Sequence, residues 1–345
     1  MPKNIVFCAD GTWDDPNNNS NVCQLYTALE NLPGVQIPMY DSGVGSSGTP
    51  VEKMLGGAVG AGLFQKIKDG YSAISAQYQA GDQIFIFGFS RGAYTARSLA
   101  GMIAICGLPT VNQQDSACLD MAFEAYRNAA QRDLLLDTLN TSYKMDNARI
   151  QLLGVWDTVG SLGIPALFGS IDVIQYGFLS TTLHEDVVTA VQALSIDEQR
   201  MQFQPAVFAP SVYPNQTLVQ AWFSGVHCDV GGGYPPDRNG ASPSNIPLLW
   251  MASYAKASGL QFKAGAFSNA VLARDATASL HQSRTGAYCI FPPNIRNILP
   301  ESSLAGSVNV RCANPNPSYA PENLHFVAGQ LANTYSLVDV GSIAI

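Results

Sequence analysis

The sequence predicts an α/β fold, a mostly parallel sheet flanked by helices, and three observations predict it. Short β-branched and aromatic runs alternate with amphipathic helical patterns along the chain. Four chemistry-bearing loops (Asp10–Trp13, Gly88–Gly92, Trp156–Gly160 and His227–Tyr234) each follow one of those runs directly. In open parallel sheets, sites form at such strand ends. With 345 residues, 47% of them hydrophobic, the chain can bury a large core.

Taken in order, Asn4–Ala9 reads as the first strand, ending at Asp10. The Asp/Asn/Pro-rich stretch that follows reads as a surface turn. Its oxygens (Asp10, Asp14, Asp15, Asn17) raise a cation site as a minority alternative, because the calcium-loop spacing is absent. Val22–Leu32 reads as a helix, Val35–Tyr40 as a second strand and residues 55–80 as a glycine-flanked helix. Ile84–Phe87 is the next strand, and Ala93, Ala96, Leu99 and Ala100 recur at helical spacing after it. Residues 112–147 are helical with polar gaps, and residues 161–183 are apolar and irregular. They give candidate cap insertions at 110–148 and 161–183 within one expected domain, 1–345. Ile150–Val155 reads as a strand, whereas Val187, Val191 and Leu194 mark one face of an expected amphipathic helix. Leu218–Val226 then reads as a strand and Pro247–Ser258 as a helix.

The net charge is −8 and only 13% of residues are charged. Repulsion from phosphates argues against a nucleic-acid partner. Contact with an anionic membrane would need a local apolar or basic patch, so transient membrane-surface contact stays open. Seven cysteines are scattered without a C-x-x-C pair, which argues against a zinc knuckle or redox dithiol. Most of them read as reduced, buried small hydrophobes, a disulfide between two of them being the open alternative. No cofactor and no metal are expected. MPKNIVFCAD runs straight into a strand without a Sec-type leader. Met54–Phe64, the longest weakly polar stretch, is too short to span a bilayer. The expectation is cytoplasmic synthesis, with signal-independent export left open.

Residues 83–101 carry most of the functional information. A strand, a tight turn on Ser90, then a helix is the context that a G-x-S-x-G nucleophile elbow requires. The turn crowds the backbone, so the residues two before and two after the serine must be very small; Gly88 and Gly92 meet that need. The alternative is a small-residue turn in which Ser90 is merely a helix N-cap.

A serine hydroxyl needs a base within hydrogen-bond reach. His227 is the candidate, since imidazole can take and return a proton near neutrality. Asp157 would fix its tautomer and stabilise the imidazolium. The order Ser90, Asp157, His227 is that of α/β-hydrolases. The Arg91 backbone N–H, with a second donor around Gly11 and Thr12, would form the oxyanion hole. Asp229 or Asp10 could replace Asp157 as the acid. His281 is the strongest rival base, because it too preserves the chain order; His184, at an expected helix start, and His325 are weaker.

The set IVFCADGTWDDP, YDSGVGSSG, GGAVGAGLFQKIKDGY, FGFSRGAYTARSLAGMI, GVWDTVGSLG, ALSIDEQRMQFQP and GVHCDVGGGYP resembles the catalytic-domain family of type VI secretion phospholipase effectors, the match running roughly from residue 3 to residue 330. Related uncharacterised α/β-hydrolase domains share it. The resemblance implies an α/β-hydrolase core and a Ser-Asp-His triad, with the serine at Ser90 in GFSRG, the histidine at His227 in H-x-DVGGGY and the acid at Asp157 in WDTVG. The expected activity is therefore a serine hydrolase cleaving carboxylic esters (lipase, phospholipase or esterase) through an acyl-enzyme. The alternatives are acyl transfer by the same triad, and a secreted effector or binding module with a weakly active core. The expected partners are a small-molecule ester or lipid substrate and, for an exported protein, an immunity or secretion partner. Oligomeric state is left open.

Overall fold

The computed structural model describes residues 2–11, 19–43, 59–110, 115–159, 181–237, 240–268, 272–315 and 318–340. Its strands are β1 (Asn4–Ala9), β2 (Gln36–Asp41), β3 (Gln83–Phe89), β4 (Leu108–Pro109), β5 (Met145–Asp146), β6 (Ile150–Trp156), β7 (Val187–Ser195), β8 (Thr217–Phe223), β9 (Ser303–Ala305), β10 (Phe326–Val327), β11 (Gln330–Leu331) and β12 (Ser336–Val338). Eight of them form one sheet in the order β12-β9-β8-β7-β6-β3-β1-β2. Every pairing in it is parallel, as expected for an α/β-hydrolase-like core.

The chain moves from β1 outward to β2, returns to lay β3 on the other side of β1, and then builds away through β6, β7 and β8. The strand order therefore reverses between β1 and β3. Connections leave these two carboxyl ends in opposite directions, which opens a crevice there. Asp10 and Gly11 follow β1 at this edge, and Ser90 follows β3.

The helices are α1 (Asn21–Ala28), α2 (Val59–Ser75), α3 (Arg91–Cys106), α4 (Ser116–Arg127), α5 (Arg132–Ser142), α6 (His227–Gly231), α7 (Asn245–Ala257) and α8 (Gly306–Ala313). Strand alternation distributes the core into two layers. Val6, Cys8, Phe85, Phe87 and Phe89 pack with residues of α1, α6 and α7. Ile5, Phe7, Ala9, Ile84 and Ile86 pack on the other face with α2, α3, α4 and α5. Phe85, Phe87 and Trp156 are fully buried, and each contributes roughly 1.5–3 kcal/mol by leaving water.

The segment 187–195 corrects the expected helix. Val187, Val191 and Leu194 do fall at helical spacing, but VVTAVQALS is strand β7, paired with β6 and β8. A strand covered on both faces has no polar side, so its apolar residues fit either period. Its β-branched residues favour the pleated form. His184 accordingly sits in the turn before β7, where its Nδ1 accepts from the Asp186 N–H at 3.3 Å.

The segment expected at 110–148 forms α4 and α5 between the short paired strands β4 and β5. It leaves after the carboxyl end of α3 and rejoins before β6, at the sheet edge opposite Ser90. Of the second expected insertion, residues 161–180 lie outside the described residues, as do Asp14, Asp15 and Asn17 of the candidate cation loop. Among the described residues no helix is long and apolar enough to cross a membrane, and no group of three or more His, Cys, Asp or Glu could hold a metal ion.

Candidate active site

The elbow is set by steric contacts. Ser90 stands between β3 and α3 with φ 58° and ψ −121°, a conformation that costs a non-glycine residue about 1–3 kcal/mol. Its N–H is held by the Trp156 carbonyl at 3.1 Å. A Cβ on Gly92 would strike the carbonyl oxygens of Ala9 and Asp10, and one on Gly88 would strike the backbone of Gly92 and Ala93. Glycine at 92 lets α3 start this close to the end of β1, and glycine at 88 lets it start this close to β3. Ser90 makes no side-chain capping bond to α3, so its hydroxyl serves another partner.

That partner is His227. Its Nε2 lies 2.8 Å from Ser90 Oγ, and its Nδ1 lies 2.6 Å from Asp157 Oδ2. A carboxylate can only accept, so Nδ1–H donates to Asp157 and Nε2 is left to accept the Ser90 proton. His227 opens the short helix α6. A Cβ on Gly231 of that helix would collide with the Phe89 ring, so glycine there lets α6 press against the residue preceding Ser90. Asp157 follows β6 with φ 37°, and its N–H donates to the Ala193 carbonyl of β7 at 2.7 Å. All three side chains are buried.

The surroundings of His227 are apolar rings and paired charges. Phe89 lies 4.6 Å from the imidazole, centroid to centroid, and Phe203 meets it edge-on at 4.9 Å. Arg296 donates to both oxygens of Asp157, at 2.6 and 3.0 Å. The Ser195 N–H and hydroxyl donate to the same carboxylate at 2.9 and 3.1 Å. Glu198 accepts from the His227 N–H at 3.2 Å, from Ser283 at 2.9 Å and from the Arg200 guanidinium at 2.9 Å. Arg200 in turn covers the Phe203 ring at 3.4 Å.

Burial disfavours the charged form of Asp157, but Arg296 and His227 outweigh it and hold this carboxyl well below the usual carboxylate range. Burial pulls His227 below the ordinary imidazole value; Asp157 opposes that and the nearby Arg200 charge reinforces it. For Glu198, burial pushes upward, and its bonds to Arg200 and that arginine's charge bring the net shift down.

The other candidates are placed elsewhere. Asp10 accepts from Ser20 Oγ at 2.5 Å, Tyr40 Oη at 2.6 Å and the Gly11 N–H at 2.8 Å. Burial raises its carboxyl, with those three bonds opposing. Asp10 thus braces the turn after β1. The same bond occupies the Gly11 N–H, one of the expected oxyanion donors, while Thr12 lies outside the described residues. Arg91 is the first residue of α3, its backbone N–H adjoining Ser90. Asp229 pairs with His281 at 2.6 Å, not with His227.

Sequence reasoning missed Arg296, Ser195, Glu198 and Arg200 as parts of this site. Ser195, Glu198 and Arg200 stand in the motif ALSIDEQRMQFQP, whose ion-pair spacing Glu198-Gln199-Arg200 was a usable signal. Arg296, in PPNIRNILP, carries no local signal.

A family model described as T6SS, phospholipase effector Tle1-like, catalytic domain, matches residues 3–254. The uncharacterized protein YEL023C of Saccharomyces cerevisiae is 29% identical over 238 residues, 61% of this chain and 33% of its own. An uncharacterized protein from Pseudomonas aeruginosa has a crystal structure similar at TM-score 0.48 and 16% identity, over 79% of this chain and 48% of that one. The Tle1 effector bound to the VgrG spike of the type 6 secretion system is similar at TM-score 0.40 and 19% identity, over 68% and 52%. The chain thus spans about a third of the yeast relative's length and about half of each of those two structures.

Proposed function

This chain belongs to the Tle1-like catalytic-domain family of type VI secretion phospholipase effectors, and we propose that it is a serine hydrolase cleaving carboxylic esters of phospholipids through an acyl-enzyme. One observation carries this reading: the unbroken hydrogen-bond chain from Ser90 through His227 to Asp157, ending on a strained serine at the strand-order reversal.

In the proposed reaction Ser90 Oγ attacks the ester carbonyl carbon while His227 Nε2 takes the hydroxyl proton. Asp157 keeps the imidazole in the Nδ1–H tautomer and stabilises the imidazolium. The tetrahedral oxyanion is received by the Arg91 N–H at the amino end of α3, where the helix dipole also favours negative charge. The Gly11 N–H is engaged by Asp10. The carbon–oxygen bond to the alcohol then breaks, and His227 returns the proton to the departing oxygen. Water, activated by the same imidazole, releases the acid from Ser90. The rings of Phe89 and Phe203 against His227 shield the proton transfers from bulk solvent.

The test is hydrolysis of a chain-length series of p-nitrophenyl esters, followed by diacyl phospholipids, with wild type beside Ser90→Ala. Cleavage that disappears in the variant, together with covalent labelling of Ser90 by a fluorophosphonate, is the expected result. Hydrolysis that persists in a folded Ser90→Ala protein would remove the nucleophile assignment.

A further inference from the structure

We propose that Arg296 is a positioning residue for this machinery, reaching it from a segment beyond the family-matched region, and that its charge, acting through Asp157, extends to lower pH the range over which His227 serves as a base. The proposal rests on the catalytic reading given above.

The family match ends at residue 254, yet the hydrogen-bond chain from Ser90 does not end inside it. Arg296 grips Asp157 with a two-pronged fork, Nη1 to Oδ1 and Nη2 to Oδ2. Such bidentate contact fixes the plane of a carboxylate as well as its charge. The fork is itself held: Nη1 also donates to the Ser195 carbonyl at 2.8 Å and hydroxyl at 2.7 Å, and Nη2 to the Phe203 carbonyl at 2.7 Å. Ser195 bonds both partners, so the two side chains share one frame at the end of β7. Arg296 is only 2% exposed.

The segment carrying Arg296 is fastened to the catalytic side of the sheet at several points. His281 is paired with Asp229 of α6, Ser283 donates to Glu198, and the Asn294 N–H donates to the Gln199 carbonyl at 2.8 Å. The Arg296 carbonyl accepts from Asn323 at 3.2 Å. The guanidinium therefore arrives with little freedom to move, as a group that orients a catalytic carboxylate must.

Charge balance makes the role more than structural. The groups facing His227 are Ser90 from the start of α3, Asp157 from the end of β6, and Glu198 and Arg200 from the turn after β7. The rings of Phe89 and Phe203 complete its surroundings, with Tyr288 lying beyond Arg200. Arg296 acts on it through Asp157. Two carboxylates and two guanidiniums sum to zero, so these four groups add no net charge to the imidazolium and oxyanion that form together during attack. Without Arg296 the sum is −1. The resting imidazole would then hold a proton to higher pH, and the base would be withdrawn sooner on acidification. A lysine would restore the charge but not the fork.

The experiment compares wild type, Ser90→Ala, Arg296→Met, Arg296→Lys and Ser195→Ala as full chains, on one p-nitrophenyl ester. It records kcat and KM, the acid limb of kcat/KM against pH, and folding by circular dichroism. Arg296→Met is expected to lower kcat roughly 10- to 100-fold, the scale on which partners that orient first-contact groups act. KM should hold, and the acid limb should move upward by ~1 unit. Arg296→Lys should return the limb to its wild-type position while recovering only part of kcat. A folded Arg296→Met with an unmoved limb would overturn the proposal. Should that variant not fold, Arg296→Lys and Ser195→Ala decide: reduced kcat with the limb in place in both supports the fork, and wild-type kcat in both overturns it. Wild-type protein no more active than Ser90→Ala would instead overturn the catalytic reading, and this proposal with it.

Discussion

Two His–Asp pairs grow from the single short helix α6, and their differences separate the proposed catalytic arrangement from a structural one. His227, its first residue, pairs with Asp157; Asp229, its third, pairs with His281; both distances are 2.6 Å. The first pair presents the free imidazole nitrogen to a serine hydroxyl 2.8 Å away, and its carboxylate carries a guanidinium fork. The second imidazole stacks on Tyr234 with centroids 4.0 Å apart and its side chain is 33% exposed. Asp229 is otherwise used on the N–H groups of Val226 and His281. It therefore caps the entry to α6 and ties down the chain near residue 281. A short His–Asp contact is not diagnostic; the partner of the second nitrogen, the counter-charge and the exclusion of water are.

The largest effect expected from this comparison is on the first pair. Ser90→Ala and His227→Ala should each lower kcat by at least ~10⁴-fold, and the double variant should be no worse than either, because the residues act as one unit. Additive losses would break the comparison. Asp157→Asn should cost about 10⁴-fold in kcat, since an amide at this position favours the wrong imidazole tautomer. A near-normal rate would transfer the acid's role to another carboxylate.

The pH dependence follows with its sign. The folded protein holds His227 below the ordinary imidazole value of 6.5, chiefly by burial, so the base is free at neutral pH and is lost as pH falls through that lowered value. The acid limb of kcat/KM should therefore have its midpoint below 6.5. A midpoint above it would mean that Asp157 dominates desolvation. The smallest effect is expected for His281→Ala: a change in kcat/KM of less than about tenfold, under 1.4 kcal/mol in barrier terms, with a lowered melting temperature. His281→Ala as inactive as His227→Ala would exchange the roles of the two pairs.

Much of this arrangement was legible without coordinates, and the reason is locality. The strand, elbow and helix around Ser90 occupy one contiguous stretch, and the glycines at 88 and 92 are demanded by contacts within it and with the adjoining strand end. Strand ends that carry Asp157 and His227 were also visible as apolar runs closing on polar loops. Where burial removed the contrast between faces, periodicity failed: β7, enclosed between β6 and β8, matched a helical pattern.

The chain by itself determined the strand–elbow–helix, the alternation that builds a parallel sheet, and a short roster of acids and bases in a workable order. That order could not choose between His227 and His281, or, with His281 as the base, between Asp157 and Asp229; Asp10, which precedes Ser90, falls outside it. The proposed choice rests on strand order and register, which set side by side residues 70 and 137 positions apart. Arg296, 139 residues from Asp157, was beyond sequence reasoning for the same reason. A guanidinium's partner is decided by where the loop that bears it is fastened, and those fastenings exist only in the folded chain.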